Sequence, residues 1–79
     1  MKNILVIGGT GQIGSELTMR LRGIYGNDHV VCGCIPSAKP QGVLKESGPY
    51  ELCDVTNREQ IATVVLKHNV DTIYNLAAL

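Results

Sequence analysis

Apolar and polar positions change rhythm several times along the chain, and each change marks an element. Ile4-Leu5-Val6-Ile7 is an unbroken run of leucine and β-branched residues, too short for a helix and followed by glycine. Such a run suits a central parallel strand covered on both faces. Beyond the glycines, Ile13, Leu17, Leu21 and Ile24 recur at intervals of four, four and three, which predicts a helix from near Gln12 with one apolar stripe toward a sheet. Glu16 stands early in that helix and Arg20 and Arg22 late, each where the helix dipole favours its sign, and Gly26-Asn27 supplies a stop. His29 to Cys34 returns to strand character. From Pro36 to Pro49 prolines, glycines and serines replace apolar periodicity, which predicts a surface loop. Tyr50 to Cys53 reads as a short third strand. Thr56 with Glu59 has the form of a capping box, opening a helix whose inner stripe is Ile61, Val64, Val65 and His68. Val70 to Asn75 reads as a fourth strand, followed by Leu76-Ala77-Ala78-Leu79.

This order of elements predicts an α/β fold, the N-terminal half of a Rossmann-type doubly wound parallel sheet with strand order 3-2-1-4. Its ligand crevice would lie above the carboxyl ends of strands one and four. We read residues 1–79 as one such half-domain with no substrate domain.

Gly8, Gly11 and Gly14 fall where the first strand must turn into the helix. A turn this tight needs a residue without the Cβ penalty, and a phosphate approaching the backbone needs the space a side chain would fill. The helix start adds unpaired N–H groups and the positive end of a dipole, so the turn can hold a pyrophosphate. A glycine turn that binds nothing is the competing reading. The strand before it, the helix after it and the second strand closing a βαβ unit favour the ligand.

Composition narrows the partners. Lys plus Arg equals Asp plus Glu at seven each, without runs of like charge, so nucleic acid and anionic membrane surfaces are not expected. No stretch has the length of a membrane span, nor the N-terminal run that of a signal-peptide core, and a cytoplasmic location is expected. The core must be built without Trp or Phe and with three Tyr, which is thin for an open sheet. Cys32, Cys34 and Cys53 lack zinc-site spacing and suit free thiols in a reducing compartment. Cys32 and Cys34 share a strand face and Cys53 lies on a neighbour; we read them as small core residues rather than a metal or redox cluster.

The segments Ile7-Gly8-Gly9-Thr10-Gly11-Gln12-Ile13-Gly14-Ser15-Glu16-Leu17, Tyr25-Gly26-Asn27-Asp28-His29-Val30-Val31, Ser47 to Thr56 and Asp71 to Leu79 resemble the extended short-chain dehydrogenase/reductases, the superfamily of sugar-nucleotide epimerases and dehydratases. Within it the chain is most similar to the epimerase-type L-threonine 3-dehydrogenases. The resemblance implies that Gly8, Gly11, Gln12, Ile13 and Gly14 hold the pyrophosphate of NAD through backbone N–H groups. It implies too that Asp54 and Val55 meet the adenine and that Leu76, Ala77 and Ala78 line the ribose. Each has a structural alternative: Asp54 as a helix cap, and the Leu-Ala-Ala run as close packing. The acid expected about 20 residues after the last glycine, which accepts hydrogen bonds from the adenosine ribose, falls on Cys34, a poor acceptor. Lys39 stands nearby, so NADP stays open beside NAD. Asn75 departs from the histidine usual in the threonine branch.

Those enzymes use a tyrosine with a lysine four residues on. Here Tyr25 pairs at that spacing with His29, Tyr50 with Asp54 and Tyr74 with Ala78. No catalytic residue is assigned, His29, His68 and Ser15 being read as surface or element-end residues. The chain is expected to be a truncated cofactor-binding part that binds without turning over. A sugar-nucleotide epimerase or dehydratase, and a non-catalytic dinucleotide-binding module, are the competing readings; an exposed sheet edge could also pair with another copy.

Overall fold

The computed structural model describes residues 2–77, so Ala78, assigned above to the ribose, lies outside the described residues. Four parallel strands form one sheet: β1 (Ile4–Ile7), β2 (Val30–Cys34), β3 (Tyr50–Leu52) and β4 (Thr72–Asn75), in the order β3-β2-β1-β4. Every residue of β1 and β2 is buried, whereas the edge strands β3 and β4 are largely exposed. Leu5 pairs with Val31 and Ile73, and Ile7 with Gly33 and Asn75, so the strand ends are level at the glycine turn.

Alternation along β1 divides the core. Leu5 and Ile7, with Val31 and Cys53, face Val64 of α3 (Arg58–His68); Ile4 and Val6, with Val30, face Leu21 of α1 (Gln12–Tyr25). Cys53 therefore packs on the α3 side of the sheet, while the Cys32 thiol lies on the α1 side beside Gly9 and Thr18, so the three cysteines do not share one face.

Three local expectations are corrected. The inward face of α1 is Gly14, Thr18, Leu21 and Arg22, and Ile13 and Ile24 are 73% and 66% exposed. The cause is the turn: a Cβ on Gly14 would stand 2.1 Å from the Gly8 carbonyl oxygen, so the helix start sits hard against β1 and presents its small residues there. Second, the cap of α3 lies one residue later than Thr56. The Asn57 side chain accepts the Gln60 N–H at 3.1 Å, and Gln60 Oε1 reaches back to the Asp54 N–H at 2.8 Å. Third, the segment from Pro36 to Pro49 carries a 3-10 turn (Pro36–Ala38) and a short helix, α2 (Val43–Glu46).

What organises that segment is Arg22, which is 2% exposed. Its Nε donates to the Val30 carbonyl at 3.1 Å, Nη1 to the Leu44 carbonyl at 2.7 Å and Ser47 Oγ at 3.1 Å, and Nη2 to the Pro49 carbonyl at 2.7 Å. Gly48 is the residue that lets the chain pass, since a Cβ there would lie 2.8 Å from Arg22 Nε. A guanidinium with its donors spread over three carbonyls and a hydroxyl can be buried without a carboxylate partner. Neither ion pair among the described residues involves it.

Candidate functional site

The site is the row of backbone turns where the parallel strands end. Gly8 has φ +82°, and its N–H and that of Gly9 both donate to the Gly33 carbonyl at 3.1 and 3.0 Å, which ties the turn to β2. A Cβ on Gly8 would lie 3.0 Å from the Ala77 nitrogen, so the turn passes close beneath the residues after β4. Gly14 is required by the contact with Gly8 already described.

Gly11 differs from both. It caps α1 with φ −66° and no side-chain bond, and a Cβ there would meet nothing closer than 3.5 Å. The protein's own packing therefore does not demand glycine at position 11; the space its missing side chain leaves opens outward. The first helical bond is from the Ser15 N–H to the Gly11 carbonyl at 2.8 Å, and the N–H groups of Gln12, Ile13 and Gly14 have no backbone acceptor among the described residues. A cradle that a side chain would fill, floored by free N–H groups at a helix start, fits a diphosphate.

Two adjoining clefts meet at this turn. The first, about 470 Å³, is lined by Gly8, Gly11 and Cys34 together with Asp54, Val55, Leu76 and Ala77. The second, about 320 Å³, shares Gly8, Gly11 and Leu76 with it and adds Gln12, Ile13 and Gly14. Every described residue assigned to the site from sequence thus borders one of two contiguous spaces. Thr10, Ile35, Ala38 and Thr56, which the sequence reading did not assign to the site, line the first cleft as well. Position alone marks them, as neighbours of the turn or of a strand end.

The side chains at the rim are held locally. Asp54 Oδ1 accepts the Thr56 N–H at 2.9 Å and its hydroxyl at 2.7 Å, which holds the carboxyl below its ordinary pKa and leaves it ionised at neutral pH. Asn75 Oδ1 accepts the Ala77 N–H at 3.1 Å and so shapes the turn after β4. The Cys34 thiol is buried and donates to the Glu51 carbonyl at 3.5 Å; burial raises its pKa, so it stays a neutral thiol. Glu51 itself is bound by Lys67 at 2.8 Å and His68 at 2.6 Å, which fastens β3 to the end of α3.

Other candidates fall elsewhere. Tyr25 borders an open depression of about 690 Å³ with Lys2 and Asp71, at the amino ends of β1 and β4, away from the glycine turn. His29 Nδ1 pairs with Asn3 Oδ1 at 2.8 Å, and Ser15 Oγ donates to the Gln12 carbonyl at 3.1 Å. Among the described residues no helix is long and apolar enough to cross a membrane, and no three of His, Cys, Asp and Glu converge as a metal site would require.

Comparison with known proteins bears on this arrangement. The model of the NAD dependent epimerase/dehydratase family matches residues 4–79. An uncharacterized epimerase/dehydratase of Staphylococcus haemolyticus is 40% identical over all 79 residues, which span 24% of its length. The structure of L-threonine dehydrogenase from Clostridium difficile superposes with a TM-score of 0.83 at 42% identity, covering 100% of this chain and 24% of that one. A short chain dehydrogenase from Leptospira borgpetersenii, solved with bound NAD+, superposes at 0.73 with 28% identity, covering 99% of this chain and 32% of that one. The chain thus spans about a quarter of the length of the curated relatives it matches.

Proposed function

The chain belongs to the NAD dependent epimerase/dehydratase family, and from that premise we propose that it is the dinucleotide-binding part of an NAD-dependent oxidoreductase of the L-threonine 3-dehydrogenase kind. The observation that carries the reading is Gly11, whose missing side chain serves no contact within the protein and opens onto unpaired N–H groups. The N–H groups of Gln12, Ile13 and Gly14 bind the diphosphate, with Gly8 and Gly11 allowing its approach. Asp54, an ionised acceptor at the rim, and Val55 hold the adenine; Leu76 and Ala77, with Ala78 beyond the described residues, line the ribose. When bound, the nicotinamide supplies a hydride acceptor. The groups that bind substrate and move its hydroxyl proton belong to the part of the relatives' length that this chain does not match. Three free thiols suit a cytoplasmic setting.

A sugar-nucleotide epimerase or dehydratase is the second reading, favoured by the description of the S. haemolyticus relative and sharing this cofactor site. A titration of NAD+ into isotope-labelled protein, followed by amide NMR, tests the binding reading. Shifts concentrated at residues 8–14, Asp54, Val55, Leu76 and Ala77 are expected. A dispersed spectrum unmoved by millimolar NAD+ and NADP+ would overturn it.

A further inference from the structure

Helix α1 opens at the glycine turn and carries, about three turns on, a buried arginine that makes no contact with the candidate site. Among the described residues, every hydrogen bond that ties residues 39–48 to the rest of the chain is made with this helix. Arg22 Nη1 donates to the Leu44 carbonyl at 2.7 Å and to Ser47 Oγ at 3.1 Å, and Ser47 Oγ donates in turn to Met19 Sδ at 3.4 Å. The charged side chains of these elements do not compete: Glu16, Lys39, Lys45 and Glu46 are exposed and belong to neither ion pair among the described residues. A four-residue helix such as α2 is too short to persist by its own bonds, so its place depends on the arginine.

The segment held in this way walls the site. Ile35 and Ala38 border the first cleft, and Ala38, Pro40 and Leu44 border a hollow that adjoins it. Leu44, whose carbonyl Arg22 grips, and Ala38, which reaches the cleft, therefore line the same space. One helix offers free N–H groups to a ligand at its start and, near its end, fixes the chain that flanks the same ligand.

We infer that Arg22 is a positioning residue for the dinucleotide: by docking the segment from Ile35 to Ser47 against α1 it keeps the cleft competent to bind, so that cofactor binding and docking of the segment favour each other. The inference rests on the dinucleotide reading above. Amide hydrogen exchange of the whole chain, with and without saturating NAD+, and NMR titration of NAD+ test the two directions of that linkage. The Glu46 and Ser47 N–H groups donate to the Gly42 and Val43 carbonyls and border neither cleft, so they report docking rather than contact with the ligand. NAD+ should slow their exchange severalfold in the parent chain. In Arg22→Met, a segment docked in about a tenth of the molecules would weaken NAD+ roughly tenfold beyond what the folded fraction explains, and saturating NAD+ should restore part of the protection. Arg22→Lys should fall between the two. Ser47→Ala, a milder change that keeps the arginine, should weaken NAD+ in the same direction by a smaller factor, which keeps the inference open to refutation if Arg22→Met does not fold. Parent affinity in folded Arg22→Lys and Ser47→Ala would overturn the inference and leave the dinucleotide site standing, as would NAD+ that shifts residues 8–14 without slowing Glu46 and Ser47. Absence of NAD+ binding by the folded parent chain would overturn the dinucleotide reading and the inference with it.

Discussion

Replacing Arg22 by methionine keeps an unbranched apolar stem in the same space and removes only the guanidinium, so it isolates what that group does. Four hydrogen bonds go: those to the Val30, Leu44 and Pro49 carbonyls and to Ser47 Oγ. Bonds from a charged donor contribute about 1.5–3 kcal/mol each. Against this stands the cost of holding a charge out of water, several kcal/mol for an unpaired ion, which the variant no longer bears. Pro49 keeps a second donor, the Cys32 N–H at 3.0 Å, whereas the Leu44 carbonyl lies in a four-residue helix too short to satisfy it internally. The net loss should be about 2–4 kcal/mol. A chain of this size has roughly 4–12 kcal/mol in all, so the loss is a large fraction. Urea unfolding followed by far-ultraviolet circular dichroism should show the midpoint fall by about 2 M or more, given a slope near 1 kcal/mol per molar for a small domain. Arg22→Lys should recover less than half of this, because an ammonium cannot reach carbonyls on opposite sides. A midpoint within about 0.3 M of the parent for Arg22→Met, roughly 0.3 kcal/mol on that slope, would show that the segment from Pro36 to Pro49 is held by other contacts and refute the reasoning.

The two motif glycines should separate folding from binding. Gly14→Ala, with its Cβ 2.1 Å from the Gly8 carbonyl oxygen, should cost about 1–3 kcal/mol; Gly11→Ala should leave the urea midpoint unchanged or raise it slightly while abolishing NAD+ binding. Asn57→Ala should cost about 1 kcal/mol and Thr56→Ala less, as denaturant midpoints would show, because Asn57 bears the cap. Cys32 is buried against α1, which raises its pKa from 9.0 to about 11. The folded state therefore binds the proton more tightly, and stability should be intact below pH 9 and fall as pH rises toward about 11, a slope that Cys32→Ala should reduce, the remainder coming from Cys34 and Cys53, whose thiols burial also pushes up. Glu51 has the opposite sign: its Lys67 and His68 bonds lower its pKa from 4.5, so its contribution should be present above that pH and vanish as pH falls below it, with Glu51→Gln less steep in that range and Asp54 and Asp71 keeping the rest of the slope.

What the chain's own order of residues determined is the first turn and the strands around it. The run Ile4–Ile7, the glycines at positions 8, 11 and 14, and the parallel order 3-2-1-4 were all legible, because each depends on few neighbours: a run too short for a helix, a turn needing positive φ, a helix start leaving donors free. With that order in hand, Cys34, Asp54, Val55, Leu76 and Ala77 had to gather at the carboxyl ends of the strands, where they line one cleft. Only the tertiary structure decided how α1 turns on the sheet. Apolar spacing favoured Ile13 and Ile24, but the contact of Gly14 with Gly8 governs the rotation and leaves both isoleucines outside. Likewise, Arg22 read as a dipole partner at a helix end and proved to be the buried post on which Leu44, Ser47 and Pro49 hang. Periodicity and propensity report on the nearest turn of chain; a guanidinium bonding carbonyls more than twenty residues away leaves no such trace, because its partners are backbone atoms that every residue carries.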